Sequence, residues 1–180
     1  HPKIDGRSGQ MVIHGYQPFE PYVQIYVVEP DGRCSLAENV DAPFAGMMHD
    51  VAITENWVVL ILPPAVVDGV SLVSGTKTFQ DCLSWEPERG LLFGIRRREP
   101  GSTVRWLRAP TAGFIFHPGN AYEENGRIVF DACTYLRGDN LLKESLARWR
   151  SGRSWEGEWG ARPFLYEIDP ATDTVTLANG

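Results

Sequence analysis

Three of the four histidines in this 180-residue chain lie next to Pro or Asp, where predicted strands begin or end. His1 opens the segment HPKID, His49 lies in MMHD, and His117 lies in FIFHPGN. Imidazole is a ligand that iron, copper, zinc and nickel all accept. The three histidines are 48 and 68 residues apart along the chain, so they can share a metal only if the fold brings distant strand ends together. His14 lies in the middle of a predicted strand, and we expect it to be structural or exposed.

Short β-prone segments separated by Pro- and Gly-containing turns make up most of the chain. Repeated hairpins of this kind predict an all-β fold, which could be a sandwich, a barrel or a propeller. One helix is predicted over residues 140–149, where Leu and Trp recur at helical spacing, and residues 152–160 are predicted to form a loop. The predicted strands are residues 11–16, 22–29, 33–40, 51–53, 57–62, 89–97, 103–107, 114–116, 128–133, 164–168 and 174–177.

Composition excludes several classes of function. The net charge of −6 argues against a nucleic-acid partner, because phosphate binding needs a surplus of Lys and Arg. The run Arg96-Arg97-Arg98 is interpreted as a solvated strand end. Three scattered cysteines without a CxxC pair indicate a reduced, cytoplasmic chain. No apolar run reaches the ~18 residues of a membrane span, and no nucleophile, acid–base pair or phosphate-binding loop is apparent.

Three segments resemble the signatures of one protein family. HPKID at 1–5, MMHDVAITENWVV at 47–59 and FHPGNAYEENGRIVFDAC at 116–133 are similar to motifs of the carotenoid cleavage oxygenases. That family includes the carotenoid and apocarotenoid oxygenases, the lignostilbene dioxygenases and the retinoid isomerase of the eye. The resemblance implies a seven-bladed β-propeller with ferrous iron on its axis, held by four histidines.

The resemblance also assigns site residues. His1, His49 and His117 match the first three iron ligands, and no residue matches the fourth. The carboxylates near these motifs, Glu123, Glu124, Glu55 and Asp50, are interpreted as structural, because the family's glutamates around the iron fall outside this chain. Phe116, Met47 and Met48 are expected either to line a substrate cavity or to belong to the core.

The activity that the resemblance implies is cleavage of a C=C double bond by dioxygen, giving two carbonyl products. The substrate is a carotenoid, an apocarotenoid or a stilbene, and a peripheral membrane contact is one option for the full-length protein. At 180 residues the chain is long enough for three to four blades. We therefore expect residues 1–180 to be a single partial propeller domain from the centre of a longer chain, and to be poorly soluble or unfolded when expressed alone.

Two other functions stay open at this stage. If His1 is a processed amino terminus, its amine and imidazole could chelate copper, as in the lytic polysaccharide monooxygenases. Alternatively, the chain is a non-catalytic propeller fragment that serves as an interaction module, which would fit the missing fourth ligand.

Overall fold

The computed structural model describes residues 1–138, 150–152 and 160–178. The predicted helix at 140–149 lies outside the described residues, as does most of the predicted loop at 152–160. The described residues include fourteen strands, one short α-helix, α1 (Gly69–Val73), and two single-turn 3-10 helices at Gln80–Cys82 and Pro87–Arg89. In chain order the strands are β1 (Lys3–Ile4), β2 (Met11–Tyr16), β3 (Val23–Val28), β4 (Cys34–Val40), β5 (Val51–Ile53), β6 (Trp57–Leu62), β7 (Ala65–Val67), β8 (Leu83–Trp85), β9 (Leu92–Arg97), β10 (Arg105–Arg108), β11 (Phe114–Glu124), β12 (Arg127–Tyr135), β13 (Arg162–Asp169) and β14 (Thr174–Ala178).

Twelve of these strands make three antiparallel sheets of four strands each, in the orders β1-β2-β3-β4, β5-β6-β9-β10 and β11-β12-β13-β14. Strands β7 and β8 pair separately beside them. Successive four-stranded sheets connected in this way are the blades of a β-propeller. The predicted fold class, an all-β partial propeller of three to four blades, is therefore confirmed.

The two hydrophobic cores lie between adjacent blades, and β6 contributes to both. All six residues of β6 are buried. Successive side chains of a strand point to opposite faces, and a core covers each face of β6. Val58 and Leu60 pack in the core shared with the first blade, whereas Val59 and Ile61 pack in the core shared with the third. A continuous run of apolar residues is what a strand buried on both faces requires.

Aromatic rings fill the centre of the core between the second and third blades. The ring of Phe93 meets Phe130 and Tyr166 edge-on, with centroids 5.1 Å apart in both pairs. Phe130 and Tyr166 are stacked at the same separation. The Tyr166 hydroxyl shares a 2.9 Å hydrogen bond with Thr134, and neither residue is exposed.

The prediction that β11 ends at Phe116 is wrong. The sequence Pro118-Gly119-Asn120 resembles a strand terminator, yet β11 continues to Glu124. The ladder with β12 changes register between Ile115 and Pro118 and again between Pro118 and Ala121. These irregularities accommodate the proline without ending the strand.

The interpretation of residues 96–98 as a solvated strand end is wrong for two of the three arginines. Arg96 is 2% exposed and donates to Glu38 of the first blade at 2.9 Å. Arg98 donates to Asp5 at 2.8 Å, also across the two blades. Their burial depends on which sheets become neighbours, and a local charge pattern does not reveal that.

Helix α1 was not predicted from the sequence. Asp68 caps it, because its side chain accepts a hydrogen bond from the backbone N–H of Ser71 at 3.1 Å. Among the described residues, no helix combines the length and the apolar character needed to cross a bilayer.

Candidate metal centre

Each of the three predicted ligands lies in, or two residues before, the first strand of a different blade. His1 lies two residues before β1, His49 lies two residues before β5, and His117 lies within β11. Strand β5 is in contact with both β1 and β11. The first strands of successive blades therefore lie side by side, and this arrangement brings together histidines that are distant in sequence.

The three imidazoles converge on one point. The Nε2 atom of His1 is 3.2 Å from Nε2 of His49 and 3.3 Å from Nε2 of His117. One ligand nitrogen from each ring lies within 4.8 Å of the other two. Bonds of about 2.1 Å to a common metal ion place neighbouring ligand nitrogens roughly 3 Å apart. The donor set fits a first-row transition metal, and it is the only such group of three ligating side chains found in the described part of the chain.

The surroundings of His49 favour its neutral form. Burial lowers the pKa of His49, and the neighbouring His117 lowers it further. A neutral imidazole has the free nitrogen lone pair that a metal needs. His49 is therefore biased toward the protonation state that binds a cation.

Phe116 and Met47 pack against the same hydrophobic cluster. The Phe116 ring contacts His49 edge-on, with ring centroids 5.0 Å apart. Both residues border a hydrophobic cluster that includes Phe114 and residues of β7 and β8. Met48 lies elsewhere, because it is 1% exposed and packs in the core between the first and second blades.

The fourth histidine, His14, is on β2 and outside the ligand cluster. Burial lowers the pKa of His14 to about 4. Its Nδ1 atom is buried and has no hydrogen-bond partner among the described residues. The structure therefore places His14 as a half-buried, neutral side chain.

Lys3 and Asp50 form an ion pair beside two of the histidines. The Lys3 Nζ atom is 2.7 Å from Oδ2 of Asp50, and Oδ1 of Asp50 accepts the backbone N–H of Val51 at 2.8 Å. Asp50 is 1% exposed. Sequence reasoning treated Asp50 as structural and passed over Lys3, although each follows a predicted ligand within two residues.

Glu123 lies at the far end of β11 from Phe114 and contacts the second blade. Its carboxylate accepts hydrogen bonds from the Thr54 hydroxyl at 2.7 Å and from the Asn56 backbone N–H at 2.8 Å. Partial burial opposes ionisation, but these hydrogen bonds hold the pKa of Glu123 below its ordinary value. Glu123 thus joins two blades.

Comparison with protein families gives one match over almost the whole chain. The family model described as retinal pigment epithelial membrane protein matches residues 1–179. Isoeugenol monooxygenase of Pseudomonas putida is 35% identical over 135 residues, which is 73% of this chain and 27% of that protein. Resveratrol cleavage oxygenase 1 of Aspergillus fumigatus is 36% identical over 137 residues, 73% of this chain and 26% of that protein.

Solved structures show the same fold. Lignostilbene dioxygenase of Pseudomonas brassicacearum superimposes with a TM-score of 0.77 at 26% identity, covering 98% of this chain and 37% of that one. Cobalt-substituted Synechocystis ACO gives a TM-score of 0.76 at 22% identity, covering 99% of this chain and 38% of that one. The chain spans about a quarter of the length of these curated relatives and little more than a third of the length of the solved structures.

Proposed function

Because the chain belongs to the carotenoid cleavage oxygenases, the family of the retinal pigment epithelial membrane protein, we propose that the intact protein is a non-haem iron dioxygenase. It cleaves a C=C double bond of a conjugated substrate with dioxygen and releases two carbonyl products. The observation that carries this proposal is the convergence of His1, His49 and His117 on one point. Residues 1–180 then form a central part of the catalytic propeller, and the fourth ligand comes from elsewhere in the protein.

The donor set supports iron. Three imidazoles without a thiolate or carboxylate suit zinc, copper, nickel and iron, and of these zinc has no redox chemistry to offer dioxygen. Ferrous iron, when bound, supplies the one-electron chemistry that a reaction between dioxygen and an alkene needs. In this assignment His1, His49 and His117 hold the ion.

The protein's own side chains have two tasks, which are to keep His49 neutral and to keep its surroundings apolar. The lowered pKa of His49 keeps a proton off the ligand nitrogen. Phe116 and Met47 border an apolar cluster next to His49. Such a surface excludes water and orients an apolar alkene by shape, which is how a binding site accelerates a reaction between two held reactants.

The substrate class we propose first is a phenolic stilbene or phenylpropenoid, with carotenoids and apocarotenoids second. Relatives named for isoeugenol and resveratrol are 35% and 36% identical to this chain. A carotenoid cleavage oxygenase of Neurospora crassa is 33% identical over 183 residues, covering 99% of this chain and 34% of that protein. A panel of resveratrol, isoeugenol and an apocarotenal tests this order directly.

A peripheral contact with a membrane belongs to the same proposal if the substrate is a carotenoid. Val70 and Val73 of α1 are 72% and 69% exposed, and Phe19 is 48% exposed. Phe19 lies beside the start of α1, since a Cβ atom added at Gly69 would be 3.3 Å from its ring. Replacing Val70 and Val73 by Asp should abolish sedimentation of the intact protein with phospholipid vesicles. Unchanged sedimentation would remove the membrane contact from the proposal.

Metal content and turnover test the function. We expect the intact protein to bind one Fe(II) and to consume dioxygen with a substrate from the panel, giving two carbonyl products by mass spectrometry. His49→Ala should weaken iron binding by more than the roughly 10- to 100-fold cost of losing an outer partner. His14→Gln is the matched control and should retain iron. Copper in place of iron would favour the copper hypothesis, and an intact protein that binds no metal would favour the interaction module.

A further inference from the structure

The Lys3–Asp50 ion pair lies where two metal ligands enter their blades. Lys3 follows His1 by two residues and Asp50 follows His49 directly. The carboxylate is almost wholly buried, the Lys3 side chain is 29% exposed, and their charged atoms are 2.7 Å apart.

Stability is a poor explanation for this pair. Removing a carboxylate and an ammonium group from water costs about as much as their attraction returns, so a buried ion pair adds little net stability. Loss of one partner is costly, however, because it leaves an unpaired charge in the interior. A pair of this kind restricts the positions of the two segments that carry it.

Side-chain contacts, rather than pairing in a sheet, connect the two ligand segments. Strands β1 and β5 belong to different sheets, and no backbone ladder joins them in the described structure. The separation of the His1 and His49 nitrogens therefore depends on side-chain contacts between the blades. The Lys3–Asp50 pair is the contact closest in sequence to both ligands.

A second ion pair joins the same two blades and offers a natural comparison. Arg98 and Asp5 are 2.8 Å apart and their side chains are 11% and 17% exposed. Asp5 lies four residues from His1, and Arg98 is distant in sequence from every ligand. Both ion pairs hold the first two blades together, but only in the Lys3–Asp50 pair does each partner lie within two residues of a ligand.

We infer that Lys3 and Asp50 are positioning residues that hold His1 and His49 at the separation a shared metal requires. This inference rests on the proposed function. Neither residue is a ligand, and both act through the histidine that precedes them.

Binding of Co(II) to the intact protein tests the inference without relying on turnover. We expect Lys3→Met and Asp50→Asn each to weaken Co(II) binding by about 10- to 100-fold and to change the visible ligand-field spectrum. Lys3→Arg keeps the charge and should stay within about threefold of the parent. Asp5→Asn and Arg98→Met are the matched controls, and they too should stay within about threefold.

Several outcomes would overturn the inference. If the role were purely electrostatic, Lys3→Met would tighten Co(II) binding, because it removes a positive charge near the cation. Equal losses in the control variants would mean that blade docking alone matters. Should either single variant fail to fold, the double variant Lys3→Met/Asp50→Asn decides, because it removes the pair without leaving an unpaired charge in the interior. If the parent protein binds no Co(II), the proposed function is wrong as well. If the parent binds Co(II) and His49→Ala abolishes that binding while Lys3→Met does not change it, only this inference is wrong.

Discussion

The buried hydrogen bond between Tyr166 and Thr134 provides the sharpest test of the packing between the second and third blades. Tyr166→Phe removes only the hydroxyl and leaves the ring on Phe130 and Phe93 in place. Because both residues are 0% exposed, water cannot replace the lost partner. The Thr134 hydroxyl would be left without this bond in the core.

The magnitude follows from the cost of an unpaired buried group. A typical hydrogen bond contributes about 1 kcal/mol net, and a buried group left unsatisfied costs about 1–3 kcal/mol. We expect Tyr166→Phe to lower the free energy of unfolding by about 2 kcal/mol, and Thr134→Val to lower it by a similar amount. The double variant replaces both polar groups by apolar ones of similar shape, so it should cost about 1–2 kcal/mol less than the sum of the single variants.

Urea unfolding of the intact protein, followed by tryptophan fluorescence, measures these differences. Tyr122→Phe is the matched control, because this tyrosine is 46% exposed on β11. A surface change of this kind should stay within about 0.5 kcal/mol of the parent. Additive losses in the double variant, or a Tyr166→Phe protein as stable as Tyr122→Phe, would refute the account of this core.

Three further predictions concern contacts between blades and within a blade. Glu123→Ala removes three hydrogen bonds, and it should lower the free energy of unfolding by only about 1–2 kcal/mol because two of them are to the exposed residue Asn56. Glu124→Ala is the control and should change the free energy of unfolding by less than about 0.5 kcal/mol in the same urea assay. Gly94→Ala should lower the free energy of unfolding by about 1–3 kcal/mol and shift the tryptophan emission, because the new Cβ would lie 2.8 Å from the Trp106 ring. An unshifted emission spectrum would contradict this prediction. Hydrogen bonds from the Arg7 backbone and other groups hold the pKa of Asp5 at about 2 rather than 3.8, so its stabilising contribution is present above pH 4 and is lost as pH falls toward 2. Asp5→Asn should flatten that part of the stability-against-pH curve, and an unchanged slope would argue against it.

Local sequence pattern predicts the strands that pair within a blade. The bounds of β2, β5 and β6 agree with the predicted 11–16, 51–53 and 57–62. These segments combine β-branched and aromatic residues with clear turns at their ends, and in them local preference and tertiary packing favour the same structure.

The local sequence pattern is less informative where contacts with another strand or another blade determine the structure. Pro118 lies within β11, because the paired strand tolerates a change of register that a single sequence cannot reveal. Arg96 is buried, because Glu38 of another blade faces it. The histidine cluster was predictable only through motif resemblance, since spacings of 48 and 68 residues do not indicate proximity.

The origin of each imidazole in a separate blade also has a consequence for the timing of synthesis. A ribosome delivers His1 and His49 well before His117, and β11, which carries His117, needs β12 as its partner. A nascent chain therefore exposes at most two of these nitrogens, which form a weak and unselective chelate for whichever cation is abundant. If the three histidines hold a metal as proposed, all three can do so only after the third blade has folded, and a cation captured before then is the error that a cell making this protein has to avoid.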